Sequence, residues 1–184
     1  CKNCINCQQD DENYCSTYGI LGENYDGVQS EYAVLDISNI YPMPSILTYN
    51  EAASMPLVFM TAYQMLVKRA MLKKNETVLI YGGSSGIGSA AIQICKNIGA
   101  KIISTAGNSN KMQFCLDSGS NYVVDHKSKY MYEKIKNITN NAGVDVVFEH
   151  IGFKTWESSL YILSKGGRIV TCGATTGNKV KIDL

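Results

Sequence analysis

Beyond Glu76 the chain alternates between short, nearly uncharged apolar runs and longer stretches whose apolar residues recur three or four positions apart. The runs predict strands at Thr77–Tyr81, Lys101–Ala106, Tyr122–Asp125, Asp145–Ile151 and Arg168–Cys172. The stretches between them predict helices over Ser109–Leu116, Tyr130–Thr139 and Thr155–Leu163. A further helix opens at the first glycine cluster: from Ile87, residues Ala90, Ala91, Ile94, Cys95 and Ile98 share one face, and Gly99 marks its end. Strands that can be buried on both faces, each followed by a helix, give an α/β fold with a parallel sheet covered on both sides.

The junction between the first strand and its helix carries the chemistry. Gly82, Gly83, Gly86 and Gly88, with Ser84 and Ser85 among them, let the backbone turn tightly and leave amide N–H groups uncovered. Uncovered amides and the positive end of a helix dipole together favour a pyrophosphate. A glycine-rich turn alone is also a plain strand-to-helix connection. Here it stands in the strand–turn–helix–strand context of a dinucleotide site. A doubly wound sheet of this kind normally has six strands, so a sixth is expected after Leu184.

Upstream, Tyr49–Val67 has helical spacing, with Asn50 as the expected N-cap, Glu51 in the first turn and Pro56 starting or kinking a second helix. Tyr63, Met65 and Leu66 are expected core contacts. Ser16–Ile46 is rich in turn formers and predicts the end of a small β-domain, with one strand at Ser30–Leu35 and with Pro42 and Pro44 closing it. The expected division is therefore 1–48 and 49–184.

Residues 1–15, CKNCINCQQDDENYC, place Cys1, Cys4, Cys7 and Cys15 two, two and seven residues apart. Such a set suits a closed tetrahedral structural zinc site. A redox pair, a disulfide or an iron–sulfur cluster uses the same ligand type. Cys95, Cys115 and Cys172 lie scattered in apolar segments, as reduced core thiols of a cytoplasmic protein would. The formal net charge is +1, and aromatic residues do not interleave with basic ones, so nucleic acid is not an expected partner. The longest apolar run, Ala52–Val67, is interrupted by Pro56, Thr61 and Gln64 and is too short for a membrane span. Because the chain begins on an expected zinc ligand, it is expected to be an internal piece of a longer protein, and a signal peptide cannot be judged.

Taken in order, CxxCxxCx7C, GENYDGVQSEYAVL, EAASMPLVFMTAYQML, YGGSSGIGSAAIQICKNIGAKII, VFEHIG and GGRIVTCGA resemble the medium-chain dehydrogenase/reductase superfamily, in its zinc-containing alcohol dehydrogenase and quinone oxidoreductase branch. The resemblance implies a structural-zinc lobe, the end of a GroES-like catalytic domain and most of a Rossmann cofactor domain. It also implies about a hundred residues before Cys1. It assigns Thr61 to the nicotinamide side and Ser85, Gly86 and Ile87 to the pyrophosphate through their amides. His150 and Ile151 would line the nucleotide, and Cys172, Gly173 and Ala174 would face the carboxamide. His150 is expected to pack and hydrogen-bond rather than act as a general base.

Two departures refine that expectation. Zinc-catalysed alcohol dehydrogenases carry a cysteine ligand four residues before the threonine matching Thr61, and this chain has Leu57, which cannot bind a metal. NAD-preferring members place an acid about 20 residues after the glycine turn, where this chain has Ala106 followed by Gly107, Asn108, Ser109, Asn110 and Lys111. Gly107 and Lys111 would accept a 2′-phosphate, so NADP is favoured over NAD, although Lys111 is also an ordinary solvated position in a helix's first turn.

The expected function is hydride transfer between NADPH, or NADH, and an alcohol or carbonyl, quinone or enone, without catalytic zinc and with no catalytic side chain in this segment. The alternatives are a zinc-dependent alcohol dehydrogenase whose ligands lie upstream, and a nucleotide-binding relative without turnover. A small-molecule substrate, no membrane partner, and a homodimer or homotetramer at full length complete the expectation.

Overall fold

The computed structural model describes residues 1–182. Residues 183–184, the last two of the expected 49–184 division, lie outside the described part. The chain forms two compact units, Cys1–Pro44 and Ser45–Leu184.

The first unit holds one short helix, α1 (Ile5–Gln8), and single 3-10 turns at Glu12–Tyr14 and Ile37–Asn39. Lys2 reaches across it to Asp36 at 2.8 Å. The strand expected at Ser30–Leu35 is absent. A strand exists only as one side of a ladder, and no described segment pairs with this one, leaving Tyr32 and Val34 91% and 102% exposed. The β-character expected of Ser16–Ile46 reduces to a single bridge, Leu21 to Tyr25.

The second unit opens with α2 (Tyr49–Ser54) and α3 (Pro56–Tyr63), the proline standing at the first helical position. The N-cap is Thr48 rather than Asn50. Thr48 Oγ1 accepts from the Glu51 amide (3.3 Å) while Glu51 Oε2 accepts from the Thr48 amide (2.8 Å), a reciprocal pair that only the residue three before Glu51 can make. A π-helical segment, Gln64–Arg69, continues α3. Ala62, Met65 and Leu66 form its buried stripe, and Tyr63, about 100° round the helix from Ala62, turns outward.

Five parallel strands follow, each but the last feeding a helix: β1 (Thr77–Ile80), α4 (Gly86–Ile98), β2 (Lys101–Ala106), α5 (Ser109–Ser118), β3 (Tyr122–Asp125), α6 (Met131–Ile138), β4 (Val144–Glu149), α7 (Trp156–Tyr161) and β5 (Leu163–Thr171). Their order is β3-β2-β1-β4-β5, with Thr77 beside Lys101 and Val78 beside Val146. β5 begins earlier than expected because Leu163 already pairs with Val144; after an irregularity the ladder resumes at Val146 and Arg168.

Alternation along β1 sends Val78 and Ile80 into the core under α3 and α4, and Leu79 and Tyr81 into the core under α6 and α7. Each fully buried aliphatic side chain contributes about 1.5–3 kcal/mol. The sheet's order reverses between β1 and β4, which opens the crevice at their C-terminal ends where such sheets take ligand.

Candidate functional site

The turn from β1 into α4 is shaped by two glycines. Gly82 sits at φ +57°. Gly88 lies so close beneath it that a Cβ there would stand 2.2 Å from the Gly82 carbonyl oxygen. Ser85 caps α4, its hydroxyl accepting from the Gly88 amide (3.1 Å). Its own amide donates to the Gly82 carbonyl (2.8 Å), so the expected offer of that N–H to a ligand is corrected: the turn already uses it. Among the described residues the amides of Gly86 and Ile87 have no partner and remain free donors at the head of the helix.

Beside this turn lies a cavity of about 370 Å³. Its walls include Ser84 and Ser85 from the turn, Gly107 and Lys111 from the start of α5, and His126 and Lys127 beyond β3, with no carboxylate among its lining residues. Gly107 is needed here, since a Cβ would come within 2.7 Å of the His126 ring and 3.3 Å of Lys127 Cε. Asn108 caps α5 by accepting from the Lys111 amide (2.9 Å). A second cavity of about 500 Å³ continues from Gly82, His126 and Ile151 toward Met131, Tyr132 and Thr155.

Past β4 the backbone is held by a buried carboxylate. Glu149, 0% exposed, accepts from the Ile151 and Gly152 amides (2.5 and 3.1 Å) and from the hydroxyls of Thr155 and Ser159 (2.8 and 2.9 Å). Four donors replace the water that a buried carboxylate gives up. His150 faces the turn, and its Nε2 donates to the Tyr81 carbonyl (2.9 Å), which fixes that nitrogen as the protonated one. The Tyr81 hydroxyl lies 3.1 Å from Ser159 Oγ, which can accept its proton while donating its own to Glu149, and burial raises that phenol far above its ordinary pKa.

Of the expected residues, Ser85, Gly107, Lys111, His150 and Ile151 line one cavity. Cys172, Gly173 and Ala174 line a different one, about 500 Å³, with Gly152 and Trp156. Thr61 stands apart from these cavities on α3, its hydroxyl donating to the Leu57 carbonyl one turn back (2.7 Å). Cys172 is exposed rather than a core thiol; Cys95 and Cys115 are buried, and burial pushes Cys95 up to about 12. His126 and Lys127 were not expected at the site. Their position just beyond the C-terminal end of β3 was the available signal.

In the first unit the four sulfur atoms of Cys1, Cys4, Cys7 and Cys15 lie within 4.8 Å of one another. Cys15 Sγ is 3.5 Å from Cys1 Sγ, which is 3.9 Å from Cys7 Sγ. All four are free thiols, and zinc bound at about 2.3 Å to four tetrahedral sulfurs sets them about 3.8 Å apart, so the donor set fits that ion. Hydrogen bonding from Thr17 lowers the Cys15 thiol to about 6, toward the thiolate a metal takes.

Comparison with known proteins agrees with this geometry. Human quinone oxidoreductase is 32% identical over 148 residues, 80% of this chain and 45% of that protein. The solved structure of an NAD-dependent alcohol dehydrogenase superposes with a TM-score of 0.93 at 35% identity, over 97% of this chain and 52% of that one. Escherichia coli quinone oxidoreductase complexed with NADPH gives 0.69 at 31% identity, over 77% and 43%. The chain thus spans about half the length of the relatives it matches. Residues 86–184, from the helix that opens at the glycine turn onward, match the zinc-binding dehydrogenase family, and the chain belongs to that family within the medium-chain dehydrogenase/reductase superfamily.

Proposed function

We propose that this chain is the coenzyme-binding part of an oxidoreductase that transfers a hydride between NADPH and a carbonyl, quinone or enone, or runs the reverse oxidation of an alcohol. The observation that carries the reading is the cavity beside the glycine turn: Lys111 and Lys127 line it, no acid among the described residues does, and Ser85, the cap of the helix whose first amides at Gly86 and Ile87 are free, lines it too. Free amides suit the pyrophosphate and the cations suit a 2′-phosphate. The relative complexed with NADPH supports the same choice, whereas the NAD-dependent neighbour keeps NADH as the competitor.

NADPH, when bound, supplies the hydride; this chain binds it, orients it and keeps water away. His150 donates its Nε2 proton to a carbonyl and so serves in packing rather than as a base. Leu57, exposed on α3 and without a donor atom, supports hydride transfer without a catalytic metal. The four clustered cysteines hold a structural zinc ion. In the full-length protein, dimers or tetramers in the cytoplasm complete the reading; no described helix is long and apolar enough to cross a membrane.

The test is titration of full-length, zinc-loaded protein with each coenzyme, followed by NADPH oxidation against a panel of quinones, enones and aldehydes. NADPH binding with turnover of one class is the expected result. Binding of neither coenzyme overturns the reading, and tight binding with no turnover across the panel makes the protein a nucleotide-binding relative instead.

A further inference from the structure

The cavity beside the glycine turn holds a charge relationship that sequence spacing did not show. Lys111 lines it from the first turn of α5, and Lys127 lines it from a separate segment, the turn after β3. Gly107 lines it as well and leaves room beside Lys127: a Cβ there would stand 3.3 Å from Lys127 Cε. The turn that carries Lys127 is fixed by Asp125, whose Oδ1 accepts from the Lys127 amide (2.8 Å). That carboxylate is thus occupied with backbone and is not among the residues lining the cavity.

A phosphomonoester carries about −1.5 to −2 charges at neutral pH. A lone lysine leaves such a group about one charge short, and the next nearest cation determines how well it is held. We propose that Lys127 is a second specificity-determining cation that acts with Lys111 in this one cavity, so that the 2′-phosphate of NADPH is held by both. The inference rests on the coenzyme reading above and assigns to Lys127 the discrimination between NADPH and NADH. Ammonium groups are point donors on flexible stems, so the grip is mainly Coulombic and weakens with salt.

The experiment is calorimetric titration of full-length, zinc-loaded protein with NADPH and with NADH at two salt concentrations, for wild type, Lys111→Ala, Lys127→Ala and Lys127→Arg. Lys127→Ala is expected to weaken NADPH binding about tenfold, leave NADH unchanged and reduce the salt dependence of NADPH binding, while Lys127→Arg restores affinity. If Lys127→Ala binds NADPH as wild type does while Lys111→Ala is impaired, the role of Lys127 falls and the coenzyme reading stands. Equal loss of both coenzymes in Lys127→Ala also overturns the role, because the residue would then not sense the extra phosphate. Wild type that binds neither coenzyme overturns both.

Discussion

Gly88 lies directly under the carbonyl of Gly82, with 2.2 Å between that oxygen and the place a Cβ would occupy. The obstacle is backbone on both sides, so no side chain can move to make room. Gly88→Ala must push α4 away from the end of β1, which overpacking data put at about 3 kcal/mol. It also displaces the free amides of Gly86 and Ile87. The urea midpoint should fall with little change in slope, and coenzyme binding should be lost at temperatures where the variant is still folded. Unchanged binding would separate the helix approach from the phosphate site.

Arg168 clasps Glu76 through both guanidinium nitrogens, at 2.9 and 2.7 Å, while its Nε donates to the Ala70 carbonyl (2.5 Å). One side chain thereby ties β5 to the segment between the π-helical turn and β1. Hydrogen bonding from Arg168 lowers the Glu76 carboxyl pKa in the folded state. A depressed folded-state pKa contributes stability above the unfolded value, about 4.3, and loses it as pH falls through the lower folded value. Glu76→Gln should therefore cost about 2 kcal/mol at neutral pH and flatten the loss of stability below about pH 4. Denaturation curves across that range check both.

The cysteine cluster makes a prediction about composition. Protein purified without chelator should carry about one zinc ion per chain, and Cys7→Ser should carry much less. Metal removal should unfold the first unit, where only α1 and two short turns are regular structure, because little else there is available to hold it. Elemental analysis with far-UV circular dichroism before and after chelation reads this directly. Two zinc ions per chain would contradict the inference drawn from Leu57.

How much of this was legible in the sequence depended on what each element needs. Lys101–Ala106 and Tyr122–Asp125 match their predicted bounds because both are short apolar runs closed by turn residues. Gly99 ends α4 in the left-handed conformation that its position suggested. Ser30–Leu35 failed because alternation marks a strand only where a partner lies alongside. Thr48 was missed because a cap is a reciprocal bond, visible only when Glu51 is paired with the residue three before it. The site divided in the same way. Glycines and Lys111 follow one another closely in sequence, whereas His126 and Lys127 reach the cavity from a separate β-α connection, and only the β2–β3 pairing brings them to Gly107.

Glu149 supplies the last prediction. Its carboxylate is fully buried, is paired with no cation among the described residues, and collects the amides of Ile151 and Gly152 with the hydroxyls of Thr155 and Ser159. Truncation to Ala leaves four donors without their acceptor in the wall that carries Ile151. Each orphaned donor costs about 1–3 kcal/mol, and partial rearrangement recovers some of that, so a net loss of at least about 3 kcal/mol is expected. Glu149→Gln keeps one carbonyl oxygen but turns the other acceptor into an NH2 group facing donors, so it should be intermediate in stability. Because Ile151 lines both cavities beside the glycine turn, Glu149→Gln should also weaken coenzyme binding under conditions where it remains fully folded. Calorimetry on the folded variant checks this: full coenzyme affinity with reduced stability would confine Glu149 to holding the core.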